Sequence, residues 1–220
     1  MIDRSKIIYH WDLEQGSDEW REIRLGKFTG STASVILTNG KSADGLGSGV
    51  STLIYKNASE LITGSEGDSF QGNAHTERGN ACEPLALQMY EEATWSNVKR
   101  CGFIELNHYI GYSPDGVVGE DGLIECKSPD NKEYLRLFFE RETLKQAAVD
   151  SKYIAQMQFG LWVTGRQWCD NIYFNAAFGA APYFHIHFER DEKVMQIFDE
   201  KMEIISRKMD EIQQKYHDQK

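Results

Sequence analysis

Two short runs constrain the fold of this chain more than any others: Gly111-Tyr112-Ser113-Pro114-Asp115-Gly116 and, shortly after, Leu123-Ile124-Glu125-Cys126-Lys127. Pro114 restricts the backbone around Asp115 to extended or turn geometry. Between the runs, Glu120-Asp121-Gly122 carries the Asp-Gly turn signal of a β-hairpin. Such a hairpin returns Glu125 to the neighbourhood of Asp115. If 123–127 is a strand, Glu125 and Lys127 share a face, roughly 7 Å apart along it.

Two carboxylates held close together repel unless one is protonated or a cation bridges them. Oxygen donors suit a hard ion, Mg²⁺ or Mn²⁺. A lysine beside such an ion can orient a water molecule or neutralise a phosphate, so the constellation points to metal-assisted attack on a phosphodiester. Taken alone the pattern is weak, since Ser-Pro-Asp-Gly is also a common surface turn and Glu-Cys-Lys an ordinary edge strand. The rest of the chain has to decide.

With 220 residues, the chain can bury one sizeable core. Its net charge of -10 argues against non-specific coating of nucleic acid, so any DNA contact must come from particular Lys and Arg residues. No apolar run has the length of a membrane span, and the first residues lead into Tyr9-His10-Trp11-Asp12, unlike a signal peptide, so the expected compartment is the cytosol. The cysteines at 82, 101, 126 and 169 form no Cys-x-x-Cys pair, which argues against a zinc ribbon and leaves free thiols.

The expected organisation is a single domain with helices over 15–92, strands over 94–128, helices and strands over 130–190 and a C-terminal helix over 191–217. Ser17 begins a helix as its cap, with Asp18 and Glu19 in the first turn and Gly26 as the stop. Phe28 to Leu37 leads through small hydroxyl residues into a short helix whose start could hold an anion. Residues 38–49 are expected to be a flexible glycine-rich loop without P-loop spacing, which removes support for nucleotide hydrolysis. A helix over 53–62 and a polar loop over 64–73 follow. Glu83 lies on a further helix, and Pro84 marks either its first turn or a kink. Tyr134, Leu135, Phe138 and Phe139 form one helical stripe, and Tyr153, Ile154, Met157, Leu161 and Trp162 another, with Gln156 and Gln158 off it. His185 and His187 share a strand face, but with no third ligand nearby the exposed-histidine reading outweighs a metal pair.

The order of these elements matches the core of the PD-(D/E)xK nucleases. Gln15-Gly16-Ser17-Asp18-Glu19-Trp20, Arg24-Leu25-Gly26, Ser113-Pro114-Asp115-Gly116, Tyr153-Ile154-Ala155-Gln156-Met157-Gln158, Trp162-Val163-Thr164 and Glu189-Arg190-Asp191-Glu192-Lys193 resemble the lambda-exonuclease-like, YqaJ-type viral recombinase family over roughly residues 11–212. The resemblance implies an α/β fold with a restriction-endonuclease-like core, a central mixed β-sheet flanked by helices. It implies Mg²⁺, as two ions with Mn²⁺ as a possible substitute. Asp115 and Glu125 would ligate it with the carbonyl of Cys126, and Glu83 would help hold the second ion. Lys127 would position the attacking water, Gln156 would support the site, and Arg24 and Ser31 would hold a DNA phosphate. The family digests one strand of a duplex end from its 5′ side, as homotrimeric rings working with a single-strand annealing protein. Cys126 stands where an aliphatic residue is usual, and the dispersed cysteines do not match the relatives that carry an iron–sulfur cluster. The alternatives are a structure-specific endonuclease on the same fold and a non-catalytic DNA-end-binding module.

Overall fold

In the computed structural model, which describes residues 3–67, 74–144 and 152–219 (side chains of 74–81 excepted), the chain folds around a mixed sheet. Its strands are β2 (Val98–Lys99), β5 (Gly116–Val118), β6 (Gly122–Lys127), β7 (Trp168–Phe174) and β8 (Tyr183–Glu189), in the order β2-β5-β6-β7-β8. β6 and β7 run parallel, with Glu125 opposite Asn171, and the other pairs are antiparallel. A second sheet, β1-β3-β4, joins Ile8–His10, Phe103–Asn107 and Ile110–Tyr112. Local pattern gave no sign of β1, a three-residue strand that pairs with β3 some 95 positions away, Tyr9 opposite Ile104.

The helices are α1 (Asp18–Arg24), α2 (Ala33–Leu37), α3 (Ser48–Thr63), α4 (Ala74–Thr94), α5 (Asn131–Leu144), α6 (Lys152–Thr164) and α7 (Glu192–His217). α1 begins as its sequence demands: Ser17 accepts from the Trp20 amide, and Gly26 takes a positive φ of 68° just beyond the C-terminus. α7 is capped by Asp191, which accepts from the amides of Lys193 and Val194. Pro84 lies in the interior of α4, not at its first turn, so the helix continues through a position where one backbone donor is missing. Of the expected polar loop over 64–73, positions 68–73 lie outside the described residues. Among the described residues no helix is long and apolar enough to cross a membrane.

Two expectations need correcting. The 38–49 segment ends earlier, because α3 starts at Ser48, and it is built as a tight turn. Ser42 Oγ donates to Asp44 and to the Leu46 carbonyl, Gly40 N donates to the Gly45 carbonyl, and Lys208 on α7 pairs with Asp44 at 2.8 Å. Second, α6 has no single apolar stripe: Ile154, Ala155 and every residue from Met157 to Val163 are buried. A helix packed on all sides must satisfy its polar groups internally. Gln158 does so, donating to the Glu189 carbonyl and accepting from the Asp191 amide. Of the two strand histidines, His187 is exposed, as expected, and bonds to Asp170 and Glu189, whereas His185 is half-buried against the Tyr183 hydroxyl.

Alternation along β6 sets the layers. Leu123 belongs to the main core with α6, whereas Ile124 packs with Ala86, Leu87 and Tyr90 of α4 and with Ile172 and Phe174 of β7. Glu125 and Lys127 therefore face the α6 side, and Cys126 the α4 side.

Candidate active site

The expected hairpin forms. Gly116 pairs with Ile124 and Val118 with Gly122, and the Asp115 amide donates to the Ile124 carbonyl at 3.2 Å. Asp115 Oδ2 accepts from the Cys126 amide at 2.6 Å, so the aspartate is tied to the backbone beside Glu125. Lys127 Nζ and Gln156 Nε2 both donate to Glu125 Oε1. The Tyr112 hydroxyl donates to the other oxygen, Oε2, at 2.9 Å. Glu125 is 2% exposed, so these donors replace the water a carboxylate otherwise keeps.

Electrostatics follow from this crowding. Burial first, then the Glu125 charge and that of Glu83, raises the Asp115 carboxyl well above the ordinary aspartate range, against the pull of Lys127 and the Cys126 amide. Burial lowers Lys127, but the Glu125 and Asp115 carboxylates outweigh it and hold the ammonium above the usual lysine range. Burial, with Asp115, Glu83 and Glu125 adding to it, pushes the Cys126 thiol well up, so that side chain is a neutral wall of the site.

Glu83 reaches the same field from α4. Burial and the Glu125 charge raise its carboxyl, opposed by Arg100 and Lys127. Its Oε1 is held by Arg100 Nη1 at 2.6 Å. Among the described residues no group of three or more His, Cys, Asp or Glu side chains is drawn tightly enough together to hold an ion as it stands. The chemistry of the donors nevertheless fits a hard cation. The Glu125 charge raises the proton affinity of both Asp115 and Glu83, and divalent charge relieves that repulsion.

Arg24 and Ser31 reach the surroundings of this cluster through different neighbours. Arg24 Nη1 donates to Ser113 Oγ at 2.8 Å, and its guanidinium lies 4.1 Å from the centre of the Trp20 ring. Burial lowers its pKa to about 10, and no described carboxylate pairs with it. Ser31 is exposed on the 3-10 turn Gly30–Thr32, its hydroxyl 3.1 Å from that of Thr29. That turn lies against the site: a Cβ on Gly30 would come within 2.9 Å of Gln156 Cγ.

Sequence reasoning missed two residues. Gln15 donates from Nε2 to the Pro114 carbonyl at 2.8 Å and so fixes the approach to Asp115. Tyr112 was in view, immediately before Ser113-Pro114-Asp115, but only its burial beneath Glu125 gives it a role. A buried aromatic with a polar tip needs a partner, and that general rule is the one signal that pointed to it.

Fold and site together define a nuclease core, and comparison with known proteins names the family. The YqaJ-like viral recombinase domain matches residues 19–167, and the chain belongs to that family. The alkaline exonuclease LHK-Exo from Laribacter hongkongensis superposes with a TM-score of 0.70 at 28% identity, over 93% of this chain and 100% of that one. The same enzyme in complex with dAMP matches at 0.70 and 29% identity, with the same coverage. A phage-related exonuclease from Haemophilus somnus 129PT shares the fold, with a TM-score of 0.68 at 18% identity, over 86% of this chain and 96% of that one. Curated proteins gave no match. The chain is thus a nuclease of the YqaJ-like family.

Proposed function

We propose that this protein is a Mg²⁺-dependent double-stranded DNA exonuclease that digests one strand from its 5′ end and leaves a 3′ overhang for recombination by strand annealing. The observation that carries the reading is the junction of Asp115, Glu125 and Lys127 on one hairpin, with Gln156 closing it from α6. Likeness to an alkaline exonuclease supports the activity, and its complex with dAMP, a deoxynucleoside monophosphate, fits the product class of such a hydrolysis.

In this reading Asp115, Glu125 and the Cys126 carbonyl would hold one cation, and Glu83, released from Arg100, would join Asp115 in holding a second. When bound, the ions supply Lewis acidity toward the attacking and leaving oxygens of the phosphodiester. Lys127 stays protonated, and its ammonium orients the nucleophilic water and balances charge on the phosphate. Gln156 holds Glu125 in place. Arg24, whose guanidinium makes no ion pair among the described residues and feels only the Glu66 charge, takes a terminal phosphate together with Ser31. The net charge of -10 leaves little general attraction to DNA, so a homotrimeric ring that encloses the duplex keeps the enzyme on its substrate. A single-strand annealing protein receives the overhang, and the host cytosol is the place of action.

The test incubates 3′-end-labelled linear duplex carrying 5′-phosphates, and closed circular DNA, with the protein and with Asp115→Ala, in Mg²⁺ and in EDTA. Loss of linear DNA alone, with labelled single strands surviving and both controls inert, is the expected result. Cutting of the circle would turn the assignment to a structure-specific endonuclease. End binding without hydrolysis would make it a non-catalytic end-binding module.

A further inference from the structure

We propose that Tyr112 is the positioning residue that fixes the orientation of the Glu125 carboxylate toward the cation, and that Gly30 and Gly160 exist to hold its ring in place. The proposal rests on the reading that Glu125 is a cation ligand. Glu125 Oε1 is shared by Lys127 and Gln156, so both of those donors act on one oxygen. Such a carboxylate can still swing about that oxygen. The Tyr112 hydroxyl, 2.9 Å from Oε2, stops the swing.

The ring cannot move aside to release it. Tyr112 is 1% exposed, and it is clamped between two glycines that come from different elements. A Cβ on Gly30 would stand 2.9 Å from ring atom Cε2, and one on Gly160 would stand 2.5 Å from Cζ. Any side chain at either position would push the ring, and with it the hydroxyl, away from Glu125. β4 supplies the tyrosine, the 3-10 turn supplies Gly30, and α6 supplies Gly160 along with Gln156. The elements that clamp the ring therefore include the one that donates to Oε1, so the two oxygens of Glu125 are held by one rigid packing unit. Burial and the Glu125 charge hold the phenol well above its ordinary pKa, which keeps it a neutral donor. Outer partners of this kind change metal affinity by about 10–100-fold when removed.

The experiment titrates Mn²⁺ into the full chain by calorimetry, comparing the unaltered protein with Tyr112→Phe, Glu125→Gln and the double variant, and records each thermal unfolding curve in EDTA. Phenylalanine keeps the ring in its slot and removes only the hydroxyl. The expected result is Mn²⁺ binding weakened about 10-fold or more by Tyr112→Phe, a cooperative melt in EDTA, and no additional loss in the double variant beyond that of Glu125→Gln. Unchanged Mn²⁺ affinity in Tyr112→Phe, alongside a defect in Glu125→Gln, overturns the role given to Tyr112 and leaves the metal reading intact. Unchanged affinity in Glu125→Gln overturns the underlying reading instead. A Tyr112→Phe chain that no longer melts cooperatively in EDTA also overturns the role, because the hydroxyl would then serve the fold and not the site.

Discussion

On the sheet side of the site, Glu125 is buried and, among the described residues, its donors come from fixed elements: Lys127 from β6, Gln156 from α6, Tyr112 from β4. On the α4 side, Glu83 is half-buried and its carboxylate is held by Arg100, whose side chain is 57% exposed. Both sides carry carboxylates that burial has driven toward protonation, Asp115 on the first and Glu83 on the second. They differ in what it takes to change them. An exposed ion pair contributes about 0–1 kcal/mol and exchanges easily with water or another cation, whereas removing one partner of a buried charge costs about 3–5 kcal/mol. The sheet side is thus preorganised, and the α4 side is the part with more freedom to adjust.

That contrast can be broken most directly at Asp115. Asp115→Asn keeps an oxygen for the Cys126 amide but removes the charge. Activity in Mg²⁺ is expected to fall by about 1000-fold, the equivalent of several kcal/mol of charge stabilisation. The melting temperature in EDTA should stay level or rise, because a repelled buried carboxylate has gone. A lowered melting temperature in EDTA would show that Asp115 serves the fold first.

Glu83→Gln tests the adjustable side. The expected loss is smaller, about 10–100-fold in rate, with the EDTA melting temperature moved by less than the equivalent of about 1 kcal/mol, since only an exposed pair is broken. If this change destabilises the chain as much as Glu125→Ala does, the two sides are not built differently.

The third expectation concerns proton release. Asp115 and Glu83 have folded-state pKa values raised above their unfolded ones, so the stability they contribute is fully present below about pH 4 and is lost as pH rises through the raised values. Binding of Mg²⁺ must expel those protons. Apparent Mg²⁺ affinity should therefore climb with pH across the window above pH 4, and the thermal stabilisation by Mg²⁺ should climb with it. Affinity independent of pH would mean that both carboxyls are already ionised.

Arg100→Gln gives the smallest effect. Freed of its ion pair, Glu83 should accept the cation more readily, so the Mg²⁺ concentration for half-maximal activity should fall by about three-fold, in line with an exposed pair of under 1 kcal/mol. An increase instead would assign Arg100 to the substrate phosphate rather than to Glu83.

Much of the sheet side was legible in the sequence because its signals are local. The Asp-Gly turn, the period-two alternation of β6 and the proline before Asp115 act within a dozen residues, and they suffice to put Asp115 beside Glu125 and Lys127 on the face of Glu125. Ser17 and Gly26 marked α1 in the same way. The α4 side was less legible. Glu83 could be singled out as an acid on a helix, but nothing within a few residues indicates that Arg100, 17 positions on, will hold it. Nor did the apolar spacing of α6 show that neighbours would surround it and bury Gln158.

What the sequence by itself determined is the set of chemical groups and the hairpin that pairs two carboxylates with an ammonium. What only the tertiary structure decided is how those groups are held. Tyr112 under Glu125, Gly30 and Gly160 around the ring, Gln15 behind Pro114 and Arg100 across from Glu83 are meetings of distant segments. Their geometry follows from packing helices and strands against one another, and packing depends on shape complementarity across the whole core, which no local window of residues contains.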